Sequence, residues 1–146
     1  VDLITRFRHI FVIYFTIRFW SISGYAQNTV IKHYGVNQGL PSSETYFVTQ
    51  DSKGYLWIAT DAGVVKYDGY QFRTYTTADG LPDNTVFKIH EDAYGRVWFS
   101  TYSGRFAYYV HKTDSVYPIK ANEKLTSIVK TLPTDFIFDS KDTLYV

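Results

Sequence analysis

The chain has 146 residues, a formal net charge of +1, and neither cysteine nor methionine. With 45% hydrophobic and 20% charged residues it is too apolar for a disordered region and too evenly charged for a nucleic-acid-binding tail. The lack of cysteine removes disulfide frameworks, thiolate metal sites and cysteine nucleophiles, while aromatic residues at 19% are an excess that calls for a structural reason.

In chain order, the first 26 residues stand apart. Arg6 and Arg8 precede the apolar run Ile10 to Ile17, Arg18 interrupts it, and small residues lead to Gly24 and Ala26. A basic start, a short apolar stretch and small residues at −3 and −1 describe a secretory signal, predicted over residues 1–26. The run is too short to span a bilayer, for which about 20 apolar residues are needed. A buried first element and an uncleaved anchor are the alternatives. Removing this leader changes the net charge to −1, because it holds three of the basic residues and one of the acidic ones.

Beyond the leader the sequence repeats itself. Gly39-Leu40-Pro41 returns as Gly80-Leu81-Pro82, and at the same spacing Asp51, Gly54, Trp57, Thr60 and Gly63 return as Asp92, Gly95, Trp98, Thr101 and Gly104. Tyr67 returns as Tyr108, Tyr46 as Phe87, and Ile31 to Tyr34 as Phe72 to Tyr75. A third, weaker copy begins at Phe136, with Tyr145 in the place of the tryptophan.

One unit reads as four short strands. Residues 46–50 and 55–59 are aromatic and β-branched runs around an Asp-Ser-Lys-Gly turn. Gly63 and Gly104 close the next turn, ahead of 64–67 and 105–110, and Asp68-Gly69-Tyr70 precedes 72–76. No segment carries a clear helical period. Four antiparallel strands every 40 to 45 residues is the blade of a β-propeller. The predicted fold is therefore all-β, with an outer closing strand and linker at 27–38, blade 1 at 39–79, blade 2 at 80–120 and a partial blade 3 at 121–146. Two full blades and part of a third do not close a ring, so the expectation is an N-terminal piece of a longer protein.

The run from Asp51 through Gly54, Trp57, Thr60 and Gly63 to Asp68, with its second copy from Asp92 to Tyr108, resembles the two-component regulator propeller repeat. The resemblance implies the periplasmic sensor portion of a Bacteroidetes-type sensor histidine kinase, followed in the parent chain by further blades, a β-sandwich, a membrane helix and a kinase, and signalling as a dimer. The departures lie in the third copy, which lacks Gly-Leu-Pro.

Chemistry-bearing constellations are sparse. Trp57 and Trp98 are candidates for sugar stacking, but their repetition favours packing between blades. Asp51, Asp92 and Asp139 offer one carboxylate per turn, too few for a calcium loop. The histidines His9, His33, His90 and His111 lack zinc-site spacing, and no nucleophile elbow or phosphate loop is present. No catalytic residue, metal site or cofactor is expected, and no nucleic-acid partner. Ligand contacts are expected on connecting loops: Ser43 and Glu44, Asp83 and Asn84, and the segments at Asp61 and Tyr102, which differ between copies. The expected partner is an extracellular ligand of unidentified class, a carbohydrate being one candidate. A secreted propeller enzyme acting on polysaccharide and a propeller protein-interaction module are the competing readings.

Overall fold

Each Asp-x-x-Gly turn and each glycine-terminated hairpin reverses the chain where the sequence places it. The computed structural model describes residues 30–128, 136–138 and 143–145. Strands β1 (Thr45–Gln50), β2 (Leu56–Thr60), β3 (Gly63–Tyr67) and β4 (Phe72–Tyr75) pair in that order as one antiparallel sheet. Strands β5 (Val86–Glu91), β6 (Val97–Thr101), β7 (Phe106–Val110) and β8 (Ser115–Pro118) repeat the arrangement. A third hairpin, β9 (Ile137–Phe138) with β10 (Leu144–Tyr145), pairs Tyr145 with Ile137. These are propeller blades, four-stranded meanders stacked face to face.

The two sheets bury their facing side chains in one core. Trp57, Ala59, Val64 and Tyr75 of the first meet Val86, Ile89, Phe99 and Tyr109 of the second. The Trp57 ring lies 4.8 Å from Tyr109 and 5.6 Å from Phe99, within the range of favourable aromatic pairing. Both faces of β2 are covered, which is why Trp57 to Thr60 are all buried instead of alternating. The opposite face of the first sheet packs Ile58 and Val65 against Leu40, Tyr34 and Phe72. On the far face of the second sheet, Trp98 and Phe106 pack with Phe136 and Leu144 from the third copy.

The second Gly-Leu-Pro, Gly80 to Pro82, lies in the connector between the blades. Gly80 takes a φ of 108°, and a Cβ there would stand 2.6 Å from the Val116 carbonyl oxygen, so only glycine lets the connector pass under the second sheet. Leu81 then drops into the inter-blade core.

Two expectations change, and a third lies outside the described residues. Residues 30–35 belong to no ladder, so among the described residues the closing strand expected at 31–34 is not formed. Its Tyr34 still packs 5.2 Å from Tyr67. A short helix, α1 (Asn122–Ile128), occupies the start of the segment read as the third blade; seven residues are too few for a period to register. The leader at 1–26 lies outside the described residues. From His33 onward the chain forms one unit, and of the unit ending at Lys32 only residues 30–32 are described.

Candidate functional site

The antiparallel order places the β2–β3 and β4–β5 connections at one end of the blades and the β1–β2 and β3–β4 turns at the other. All six candidate residues lie at the first end. Glu44, Asp61 and Tyr102 are drawn together there. The Thr85 hydroxyl donates to the Asp61 backbone carbonyl at 3.3 Å, and the Tyr102 N–H donates to the Thr85 carbonyl at 2.8 Å. Tyr46 donates its hydroxyl to Glu44 at 2.9 Å.

Asp83 and Asn84 are committed to local structure instead. Asp83 accepts the Thr85 N–H at 3.0 Å, and Asn84 accepts the Thr77 N–H at 2.9 Å, so both shape the connector. Ser43 is exposed, next to Ser42, whose hydroxyl accepts the Glu44 N–H at 3.0 Å.

Two residues not foreseen as contacts complete this end. The β1–β2 register shifts between Thr45 and Phe47, and the β5–β6 register shifts at the matching place, between Val86 and Lys88. The extra residues are Tyr46 and Phe87. Bulges turn such side chains out of the pleat, and here the two rings meet edge to face at 5.0 Å, with Tyr102 a further 6.0 Å from Phe87. Their recurrence as aromatics at the repeat spacing was the available signal. Beside this ladder the Asp61 Oδ1 atom is buried without a hydrogen-bond donor. The bond to Glu44, then burial and the Glu44 and Asp61 charges, raise the Tyr46 phenol above its ordinary value. The end is thus aromatic and rich in acceptors.

At the opposite end, Asp51 and Asp92 organise their turns. Asp51 accepts the N–H groups of Lys53 and Tyr55 and, with its second oxygen, the Trp57 indole N–H at 2.8 Å. Asp92 repeats this with Tyr94, Arg96 and Trp98, the last at 2.6 Å. The spacing of Asp, Gly and Trp in each copy is therefore one hydrogen-bonded device, a turn that grips the indole of the following strand.

The repeat slips beyond this device. Thr60 donates to the Gly63 carbonyl at 2.7 Å, whereas Thr101 donates to the Arg105 carbonyl at 2.8 Å. Gly63 is thus the structural counterpart of Arg105, not of Gly104, and the second hairpin loop is one residue longer. A second lengthening follows. Leu56 pairs with Tyr67 and Val97 with Tyr109, which makes Tyr109 the counterpart of Tyr67. Residues 68–71 join Tyr67 to its partner Phe72, but residues 110–115 join Tyr109 to Val116.

The longer turn carries His111 and Asp114 onto the first blade. The His111 ring stacks on Tyr55, and its Nε2 lies 3.0 Å from the Asp51 carboxylate without a directed hydrogen bond. Burial lowers the His111 imidazole below its ordinary value of 6.5; Lys53 and Lys66 add to this, and Asp51 and Glu91 oppose it. The sign follows from linkage. The unfolded chain takes up a proton near 6.5 while the folded chain remains neutral, so stability falls as pH drops below that value, until the lowered native value is reached. In His111→Gln this portion of the slope is expected to flatten in urea melts between pH 5 and about 7, near the ordinary histidine value. An unchanged slope refutes the assignment.

Known proteins now give the class its name. The stacked meanders define propeller repeats, and the model of the two component regulator propeller matches residues 39–62 and 80–103. Both stretches are similar to that repeat, each match running from Gly-Leu-Pro into the β2–β3 hairpin or its counterpart. Among solved structures, the extracellular domain assigned to the hybrid two component system BT3049 of B. thetaiotaomicron is similar at 20% identity and a TM-score of 0.63. The match covers 79% of this chain and 16% of that one, so this chain spans about a sixth of that domain. The extracellular domain assigned to the hybrid two component system BT4673 of the same organism matches at 17% identity and a TM-score of 0.42, over 72% of this chain and 22% of that one. No curated protein matches the chain.

Proposed function

We propose that the chain is part of the extracytoplasmic ligand-sensing propeller of a two-component sensor, in which ligand binding is coupled to a downstream phosphorelay. The observation that carries the reading is the pair of matched bulges. They present Tyr46 and Phe87 at the same end as Tyr102, beside the Glu44 and Asp61 carboxylates. Rigid sheets that hold rings and acceptors on their connections are suited to binding a small ligand.

The ligand class follows from that chemistry. Ring faces take up the apolar side of a flat, hydroxylated ring, and the carboxylates accept from its hydroxyls, so an oligosaccharide fits best. Such a ligand shifts a receptor only through its difference in affinity for two states, most simply two arrangements of a dimer. The location would be periplasmic, outside the inner membrane; among the described residues no helix is long and apolar enough to cross a membrane.

The test is calorimetric titration of an oligosaccharide panel against the complete propeller containing these repeats. Tyr102→Ala and Asp61→Asn are expected to weaken binding by about tenfold, about 1.4 kcal/mol, without a comparable loss in melting temperature. Equal affinity in both variants and the parent would overturn the assignment of this end.

A further inference from the structure

The lengthened β7–β8 turn places one carboxylate at the focus of four donors from two blades. Asp114 takes a left-handed φ of 50°, unusual for a residue other than glycine. Its Oδ1 accepts the hydroxyls of Tyr75 at 2.8 Å and Tyr109 at 2.6 Å. Its Oδ2 accepts from the Arg73 guanidinium, and the Lys66 ammonium stands 3.6 Å from Oδ1.

Lys66 is itself fixed. Its Nζ donates to Tyr109 at 2.7 Å and lies 4.2 Å from the Tyr55 ring centroid, with its side chain 14% exposed. The donors therefore stand on strands β3, β4 and β7, while the carboxylate comes from a turn. The carboxylate position is open to water, since the Asp114 side chain is 45% exposed and that of Arg73 56%. A cavity of about 220 Å³ adjoins it, bordered by Tyr55, Gln71 and Asp68 as well as the charged residues.

Two cations and two phenols converging on a solvent-open point form an oxyanion seat. We propose that Lys66, Arg73, Tyr75 and Tyr109 form a binding site for a carboxylate or sulfate group of a soluble ligand, and that Asp114 is its built-in occupant, displaced when the ligand enters. Because Asp114 belongs to the second blade and the cations to the first, displacement releases a contact between blades. The site lies at the opposite end from the aromatic ladder and stands whether or not the chain belongs to a sensor.

The preference for the internal carboxylate follows from tethering. A competing anion must displace a group already held in place, so its apparent affinity is its intrinsic affinity multiplied by the fraction of time the seat is vacant. Removing Asp114 should leave the seat open and hungry for an anion.

The experiment titrates sodium sulfate, and separately sodium acetate, into the full chain and Asp114→Ala at constant ionic strength held with chloride. The readout is the near-ultraviolet signal of the tyrosines. Asp114→Ala is expected to bind one of the two anions about tenfold or more tightly than the parent, and Arg73→Gln in that background to abolish the response. The tighter probe names the ligand's group. Asp114→Gly, which empties the seat and tolerates the left-handed φ of 50°, carries the same expectation where the alanine variant does not fold. No response to either anion beyond chloride, equal affinity in parent and variant, or a response that survives Arg73→Gln overturns the proposal.

Discussion

Asp92→Ala is expected to lower the stability of the chain by about 4 kcal/mol, because it strands several donors at once in a place water reaches poorly. The Asp92 side chain is fully buried and accepts the N–H groups of Tyr94 and Arg96, the Trp98 indole and the Arg96 guanidinium. Arg96 in turn lies 5.3 Å from the Trp98 ring, so the loss spreads from the turn into the packing of β6. Asn recovers only half of the interaction. Its carbonyl oxygen can accept from the backbone, but its amide then faces the indole N–H, donor against donor.

The measurement is urea denaturation followed by tryptophan fluorescence, and a change below about 1 kcal/mol defeats the account. A pH series adds a second check. Burial works to raise the Asp92 carboxyl, but the indole, backbone and guanidinium donors outweigh it and hold it below its ordinary 3.8. A depressed native value contributes stability that is present above 3.8 and is lost as pH falls through the native value. The variant should lack that acid limb.

Gly80→Ala is the second substitution with a large expected effect, about 3 kcal/mol, combining an unfavourable backbone region with a clash against main chain. The new methyl would lie 2.6 Å from the Val116 carbonyl oxygen, and β8 cannot retreat without leaving its ladder with β7. Two other glycines serve as controls. At Gly39, the counterpart in the first copy, the nearest atom is the Phe72 ring edge at 3.1 Å, which a side-chain rotation relieves. Gly69, with φ of 99°, has nothing within 4 Å, so Gly69→Ala should cost only the backbone component, about 1 kcal/mol. Thermal melts of the three variants should rank Gly80 above Gly39 and Gly39 above Gly69. A different order would mean that the connector has more room than the structure gives it.

The periodic residues were legible because each acts within its own turn. Asp51, Gly54 and Trp57 sit within one turn and the strand after it, and such a device must recur wherever the turn recurs. What connects one blade to the next was not legible. The contacts of Glu91 with Ser52, of His111 with Asp51 and of Arg73 with Asp114 join positions far apart in the chain, and no spacing announces them.

The slip at Gly104 shows the limit of a fixed offset. A glycine at the expected position served a longer loop, and only the Thr101 hydrogen bond to Arg105 shows the true equivalence. At the candidate ligand end, Glu44, Asp61 and Tyr102 were visible as loop residues. Tyr46 and Phe87 looked like ordinary strand aromatics, since a bulge leaves no mark in a run of strand-forming residues.

Repeats that stack on one another face a problem of order, because alike blades can dock on the wrong neighbour as the chain folds. The first blade presents Ser52, Lys66 and Arg73 to the second, where Glu91, Tyr109 and Asp114 receive them. At the counterpart positions the second blade presents Ala93, Tyr108 and Tyr117, which offer neither cation. The longer turn of the second blade therefore works as an address label. It finds its charge partners on the first blade, whereas the counterpart positions on its own far face are tyrosines and the cation beside them, Arg96, is engaged by Asp92, so the order of these two blades is written in side chains that the repeat itself does not contain.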